Sequence, residues 1–237
     1  MPLFPAMHEF SVEGPHEEIQ LLALQFSTQL FEASYRVPSY GGWYRTTDQT
    51  PAYAYLRRKL QALQWLRRGE RWLLKTPQHL ENLGPLVATF PDASFVQTHR
   101  DPVRITASLA TMVAYGSRMQ QRRPDPLEIG RRWAALVEQM LRASVRDRIL
   151  LPASQVMDLR FDEAIRDPFA TVARVFAFCG EPFDAATQAR VRAFLEDNQK
   201  GKHGTIDYRL EDLGQDERAL RERLRFYSER FEVPSEG

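Results

Sequence analysis

Apolar residues recur at helical spacing along much of the chain, so the pattern predicts a protein rich in helix. The first predicted helix spans residues 17–35, and after a break a second spans residues 51–68, with Pro51 in its first turn. The same spacing predicts further helices toward the C-terminus, over residues 126–146, 168–180, 184–199 and 220–231.

Two short apolar runs each end in a basic residue and lead directly into a helical pattern. The first covers residues 71–75, and the second covers residues 91–100, where Asp101 and Pro102 have the form of a helix N-cap followed by a first-turn proline. Residues 154–160 predict a third strand. Strands that alternate with helices indicate a parallel sheet with crossover helices, so the predicted fold class is α/β.

Composition excludes nucleic-acid binding as the main function. The 32 Lys and Arg residues nearly balance the 31 Asp and Glu residues, and the basic residues are spread out rather than gathered in a patch. The 237 residues suffice for one well-buried domain, and no segment repeats at a fixed period. We therefore expect a single domain in which any recognition of phosphate is local.

Cysteine usage and the lack of long apolar runs indicate the compartment. Cys179 is the only cysteine, which excludes an internal disulfide framework and a cysteine-based metal site. No apolar run approaches the roughly 18 residues of a membrane span, and the first ten residues do not have the pattern of a signal peptide. We expect a cytoplasmic protein with no membrane span and no metal.

Lys75 and Arg100 stand where two predicted strands end. In open parallel sheets, ligands bind at the carboxyl ends of the strands, so two cations there predict an anion site with charge-assisted hydrogen bonds. The alternative is that each base pairs with a nearby carboxylate, such as Asp101 or Glu81. If Asp101 caps the following helix, it occupies the helix N-terminus, and the anion must be bound by side chains.

Ser108 follows Arg100 by eight residues and Arg104 by four. Ser108 and Arg104 therefore share one face of the predicted helix, where both can reach a bound anion. A helical serine is more often exposed to solvent or bonded to its own backbone, and position alone does not decide between these interpretations.

The block of residues 71–108, with its "KTPQH" and "HRDP" elements, resembles the sulfotransferase family, in particular a bacterial branch. The similarity extends over about residues 16–233. It implies a P-loop-kinase-like parallel sheet flanked by many helices. It also implies transfer of a sulfuryl group from 3′-phosphoadenosine-5′-phosphosulfate (PAPS) to a hydroxyl or amine of a small-molecule acceptor, with 3′,5′-adenosine bisphosphate as the other product.

The resemblance also assigns roles to individual residues. Lys75 corresponds to the lysine that assists departure of the nucleotide, and Arg100 and Ser108 correspond to the pair that holds the 3′-phosphate. Phe161 stands where relatives place a tyrosine near the adenine. Lys200-Gly201 resembles a weakened form of a late basic glycine loop, for which a solvent-exposed turn is the alternative.

His79 is the candidate general base. Sulfuryl transfer resembles phosphoryl transfer in that the protein mainly supplies alignment and charge stabilisation, but a neutral base must still take the proton of the acceptor. A position near a helix N-terminus disfavours the imidazolium form. The alternative is that His79 is a helix-start residue that bonds to the adjacent loop.

The chain departs from the resembled family in one major respect. Relatives begin with a strand and a phosphate-binding loop that holds the 5′-phosphosulfate, and this chain has no such sequence. Loss of the strand predicts an inner gap in the sheet. Three explanations are open: an N-terminally shortened form, which we favour; a non-catalytic relative that binds 3′-phosphonucleotides; or a homo-oligomer in which a second subunit donates the loop.

The expected single domain, residues 1–237, has two parts. Residues 1–70 form a helical acceptor-side region, and residues 71–237 form the nucleotide-binding core with the C-terminal helices. A further alternative is a helical interaction protein whose N-terminal aromatic residues contact a partner. These aromatic residues are Phe26, Phe31, Tyr35, Tyr40, Trp43, Tyr44, Tyr53 and Tyr55. The acceptor and the oligomeric state cannot be deduced from the sequence.

Overall fold

The structure is a computed structural model that describes residues 2–8, 14–199, 202 and 204–236. In this part of the chain helices dominate, and two strands form a small sheet. The helices are α1 (Phe4–Met7), α2 (Ile19–Ala23), α3 (Leu30–Ser34), α4 (Pro38–Thr46), α5 (Thr50–Arg67), α6 (Leu83–Thr89), α7 (Pro102–Gly116), α8 (Pro126–Asp147), α9 (Phe161–Arg166), α10 (Pro168–Phe178), α11 (Ala185–Asp197) and α12 (Glu217–Phe231). The strands are β1 (Phe95–His99) and β2 (Val156–Arg160), and 3-10 turns lie at Pro77–Glu81, Ser117–Met119, Arg148–Leu150, Ala153–Gln155 and Glu211–Leu213.

The sheet confirms the α/β class in a reduced form. β1 and β2 pair in parallel over five residues, from Phe95 opposite Val156 to His99 opposite Arg160. Helices α7 and α8 form the crossover between them. The two described strands are direct neighbours, so the expected inner gap does not lie between them.

The strand predicted over residues 71–75 was wrong. Residues 71–76 have no regular secondary structure, and the main-chain N–H of Lys75 donates to the carboxylate of Glu18 (2.9 Å) instead of to a neighbouring strand. Leu73 is 94% exposed, so the apolar run that suggested a buried strand does not pack against the core. An apolar run becomes a strand only where another strand satisfies its backbone groups.

The helix predicted over residues 17–35 is interrupted, because tertiary hydrogen bonds outweigh the local pattern. Phe26 adopts a left-handed backbone conformation (φ 54°) between α2 and α3. The Tyr40 hydroxyl lies 2.7 Å from the Phe26 carbonyl oxygen and accepts the N–H of Thr28 (3.0 Å). Gln78 donates to the Ser27 carbonyl oxygen (2.9 Å), so the backbone groups of the break have partners from outside it.

Helix α4 lies in the segment that was expected to be a break. Its glycines obscured the pattern, but Pro38 starts the helix in the first turn. Gly41 is required there by close packing, since a Cβ at this position would overlap the Glu32 carboxylate. The short helix α9 was also not predicted.

The other helices confirm the helical spacing. Asp101 accepts the N–H of Val103 (2.9 Å) and caps α7, as predicted, and Asp125, Asp167, Asp184 and Asp216 cap α8, α10, α11 and α12 in the same way.

Three apolar clusters make up the core. One joins α7, α8 and α12, and a second joins α7 and α8 to the turn at Glu211–Leu213. The third joins α2, α5 and α6 and continues to Phe95 and Val156 of the sheet. None of the helices in the described residues has both the length and the apolar character needed to cross a bilayer.

His99 connects the sheet to α12. Its Nδ1 lies 2.7 Å from the Tyr227 hydroxyl, its Nε2 lies 2.8 Å from the Asp158 carboxylate, and its ring stacks on Phe231. Burial lowers the pKa of His99, although Asp158 opposes this effect. The side chain thus holds β1, β2 and α12 together.

Replacing Gly130 with alanine tests the packing of α8. A Cβ at Gly130 would overlap the carbonyl oxygen of Leu213, whereas a Cβ at Gly42 on α4 would meet nothing within 4 Å. We expect Gly130→Ala to lower the free energy of unfolding by about 1–3 kcal/mol, measured by urea denaturation. The control Gly42→Ala should leave it unchanged or raise it by up to about 1 kcal/mol, because alanine favours helix. Equal effects of the two substitutions would contradict this packing.

Candidate functional site

Lys75 lies beside two consecutive carboxylates that precede α2. Its side chain is 72% exposed, and its Nζ forms an ion pair with Glu17. Its main-chain N–H donates to Oε2 of Glu18. Because residues 71–75 are not a strand, Lys75 is held in place by a side chain from the N-terminal region and not by a sheet.

His79 lies in the 3-10 turn Pro77–Glu81, which Thr76 caps by accepting the N–H of Gln78. Its Nε2 is 2.5 Å from Oε1 of Glu18, and its Nδ1 is 2.7 Å from the hydroxyl of Tyr53 on α5. The imidazole is therefore bonded at both nitrogens, in contact with the N-terminal region on one side and with α5 on the other.

The ionisation of Glu18 and Tyr53 decides which nitrogen of His79 carries the proton. Burial tends to raise the pKa of Glu18, but the hydrogen bond and charge of His79 and the N–H of Lys75 outweigh it and lower that pKa. Burial raises the pKa of Tyr53 well above its ordinary value, so Tyr53 remains a hydroxyl. An ionised carboxylate only accepts hydrogen bonds, so Nε2 carries the hydrogen and the lone pair of a neutral ring is on Nδ1.

Arg100 directly follows β1, and it is already bound to an anionic group. Its Nε and Nη2 donate to the two oxygens of Glu236 at 2.8 and 2.7 Å, which is the paired geometry that a guanidinium also forms with phosphate. The guanidinium carbon lies 4.2 Å from the centre of the Phe161 ring. The structure thus brings together two residues that the sequence assigned to one nucleotide.

The start of α7 is occupied, as expected. Asp101 accepts the N–H of Val103 through one carboxylate oxygen and the N–H of Glu236 (2.8 Å) through the other. An anion near Arg100 would therefore be held by side chains and not by the N-terminus of α7. Ser108 is half-buried two turns further along α7, and among the described residues its hydroxyl has no hydrogen-bond partner.

Lys200 and Gly201 lie outside the described residues. Nearby Lys202 is exposed, and its Nζ donates to the side chain of Asn198 (3.2 Å).

The predicted residues form two clusters. We call Glu17, Glu18, Tyr53, Lys75 and His79 the lysine cluster, and Arg100, Phe161 and Glu236 the arginine cluster. No hydrogen bond or ion pair within the described residues joins one cluster to the other.

Sequence reasoning allowed that each base pairs with a carboxylate, but it named the wrong partners. Glu81 instead pairs with Arg45 (3.4 Å), and Asp101 caps its own helix. The actual partners, Glu17 and Glu236, are 58 and 136 residues away from the bases they bind. No local sequence signal indicates contacts at that separation.

A cleft of about 820 Å³ lies elsewhere, between α8 and the region where α4 meets α5. Its lining includes Arg45, Gln49, Glu81, Glu138 and Arg142, and it includes no residue of either cluster. We therefore place the candidate site at the clusters, where the chemical groups are, and not in the largest cleft. Across the part of the chain described here, no group of three or more His, Cys, Asp or Glu side chains is arranged to hold a metal ion.

Comparison with known proteins follows the same direction as the residues. Residues 2–185 match the model of the Sulfotransferase family. The fold is similar to that of sulfotransferase STF9 from Mycobacterium avium (TM-score 0.85, 27% identity over 94% of this chain) and of sulfotransferase STF1 from Mycobacterium tuberculosis H37Rv (TM-score 0.77, 29% identity over 91% of this chain). The chain spans 58% and 56% of the lengths of those two proteins. The search of curated proteins gave no match.

Replacing Glu236 with glutamine tests whether Arg100 is an anion site. The Arg100–Glu236 pair is partly exposed, so its loss frees the guanidinium at a cost of about 1 kcal/mol or less. We expect Glu236→Gln to raise the affinity for inorganic phosphate about two- to fivefold, followed by NMR at the Nε–H of Arg100. Glu229→Gln, an exposed change on α12, is the control and should leave the affinity unchanged. An unchanged or weaker affinity in Glu236→Gln would show that Glu236 does not compete with an anion.

Proposed function

We propose that this chain, which belongs to the sulfotransferase family, transfers a sulfuryl group from PAPS to the hydroxyl or amine of a small-molecule acceptor. The observation that carries the proposal is the arginine cluster, where a guanidinium that binds two carboxylate oxygens lies against an aromatic ring. A 3′-phosphate can take the place of the carboxylate, and the adjacent ring of Phe161 suits an adenine. We propose that the 3′-phosphate is also bound by Ser108 and, from the late glycine loop, by Lys200 and Gly201.

The lysine cluster supplies the groups that the transfer step needs. An acceptor oxygen or nitrogen forms a bond to sulfur, and the bond between sulfur and the bridging oxygen of the 5′-phosphate breaks. We propose that Lys75 donates to that leaving oxygen and that His79 takes the proton of the acceptor at Nδ1. The hydrogen bond that Tyr53 now donates to Nδ1 is then exchanged for one from the acceptor. The nucleotide leaves as 3′,5′-adenosine bisphosphate.

The two parts of the proposed single domain have distinct tasks. We propose that residues 1–70 lie on the acceptor side, where α5 and the segment before α2 already contact His79. Residues 71–237 provide the nucleotide-binding groups. The 5′-phosphosulfate loop of relatives has no counterpart in this sequence, so a sulfuryl group bound here relies on Lys75 or on groups donated by another chain. Activity that rises with protein concentration more steeply than in direct proportion would favour a donated loop.

Non-catalytic nucleotide binding is the second candidate function. It is favoured by the contacts at Lys75, His79 and Arg100, each of which is already engaged by a neighbouring side chain. Such a protein would bind 3′,5′-adenosine bisphosphate and never convert PAPS. Calorimetric titration with the bisphosphate, combined with an assay of PAPS turnover, separates the two functions.

Replacing Arg100 with alanine tests nucleotide binding. Because Arg100 is the only proposed phosphate ligand that offers two parallel donors, we expect Arg100→Ala to weaken binding of 3′,5′-adenosine bisphosphate at least about tenfold in calorimetry. Arg100→Lys should recover only part of the affinity, since lysine retains the charge but not the paired geometry. Arg57→Ala, an exposed arginine on α5, is the control. If Arg100→Ala binds the bisphosphate as tightly as the control does, the arginine cluster is not the nucleotide site.

Replacing Lys75 with alanine tests the transfer step separately. A charge that acts on the leaving oxygen stabilises the transition state more than the bound substrate, so we expect kcat to fall about a hundredfold. The affinity for 3′,5′-adenosine bisphosphate should change by less than about threefold, because that ligand lacks the bridging oxygen. The exposed Arg58→Ala on α5 is the control. Equal losses in binding and rate would assign Lys75 to nucleotide binding instead.

A further inference from the structure

We infer that Glu18 is the positioning residue of the lysine cluster: it fixes the hydrogen of His79 on Nε2 and thereby leaves the lone pair on Nδ1. This inference rests on the proposed function, because it explains how His79 is prepared to take a proton. Glu18 itself does not contact the acceptor, since its carboxylate is 2% exposed and is enclosed by the protein.

The first step of the argument is the complete engagement of the Glu18 carboxylate. Oε1 accepts from Nε2 of His79 at 2.5 Å, and Oε2 accepts from the main-chain N–H of Lys75 at 2.9 Å. A buried carboxylate without such donors would be strongly unfavourable, so the contacts and the charge of Glu18 depend on each other. One carboxylate therefore sets the positions of both residues that we propose for the transfer step.

The second step concerns the tautomer of His79. A carboxylate can only accept, so it selects the ring form with hydrogen on Nε2. Tyr53 has no such effect, because a hydroxyl can either donate to Nδ1 or accept from it. The tautomer therefore depends on Glu18 and not on Tyr53, although both bond to the ring.

The third step is charge. The ionisable groups facing the His79 ring are Glu18 from the segment before α2 and Tyr53 from α5, while Glu81, two residues further along the 3-10 turn, is paired with Arg45. Glu18 thus supplies the negative charge in direct contact with the ring. It stabilises the imidazolium that forms when His79 takes the acceptor proton, in the way that a buried carboxylate supports the histidine of a catalytic triad.

Glu18→Gln separates these effects from simple packing. The glutamine oxygen can accept from the fixed N–H of Lys75, and its NH₂ group then faces Nε2 of His79 and donates to it. The ring must respond by moving its hydrogen to Nδ1, where it donates to Tyr53. We expect the ¹⁵N NMR shifts of the ring to report the Nε2–H form in the unmodified protein and the Nδ1–H form in Glu18→Gln. Tyr53→Phe should retain the Nε2–H form.

The kinetic readout follows from the same change. We expect kcat of Glu18→Gln to fall about a hundredfold or more, with the acid limb of its pH–rate profile moved to lower pH and the affinity for 3′,5′-adenosine bisphosphate unchanged. Glu18→Asp should recover part of the rate, and Glu70→Gln, an exposed change, should behave like the unmodified protein.

The outcomes are distinct. If Glu18→Gln keeps the Nε2–H form, or if Tyr53→Phe loses it, the inference is overturned. If Glu18→Gln switches the tautomer but turns over as fast as the unmodified protein, Glu18 has no positioning role in the reaction. If the unmodified protein itself transfers no sulfuryl group, the proposed function fails, and the NMR comparison still decides whether Glu18 sets the state of His79.

Discussion

The arrangement of the lysine cluster depends on one buried charge, the carboxylate of Glu18. A carboxylate removed from water is stable only if donors surround it, and Glu18 has a donor on each oxygen. One donor belongs to the main chain of residues 71–76, which has no strand partner in the described residues, and the other belongs to a histidine on the following turn. The charge therefore stabilises a segment that would otherwise have unpaired backbone groups, and it orients His79 at the same time.

The sequence predicted the helices well because their positions depend on local properties. Apolar spacing, first-turn prolines and N-cap aspartates lie within the segment that they specify, and helices α5, α7, α8, α10, α11 and α12 follow them closely. The failures occurred where a distant residue decides the outcome. Residues 71–75 have the composition of a strand but lack a neighbour to pair with, and Tyr40 and Gln78 interrupt the predicted first helix from outside it.

The candidate site shows the same division between local and distant information. Lys75, His79, Arg100 and Phe161 could be selected from the sequence, because basic and aromatic residues next to element ends suggest ligand contacts. The residues that hold them could not. Glu18 is 57 residues from Lys75 and 61 from His79, and Glu236 is 136 residues from Arg100. A carboxylate anywhere in the chain could have taken either place, so only the fold identifies the partners.

The two clusters differ in how readily a ligand can change them, and burial explains the difference. The contacts of Glu18 are enclosed, so breaking them would leave an unpaired buried charge, which is strongly unfavourable. The Arg100–Glu236 and Lys75–Glu17 pairs are partly exposed, and such pairs contribute about 1 kcal/mol or less. A phosphate carries more charge than a carboxylate and has three acceptor oxygens, so it can replace Glu236 at Arg100 at little cost. The structure therefore favours a site in which the outer ion pairs exchange for ligand groups while the Glu18 contacts remain unchanged.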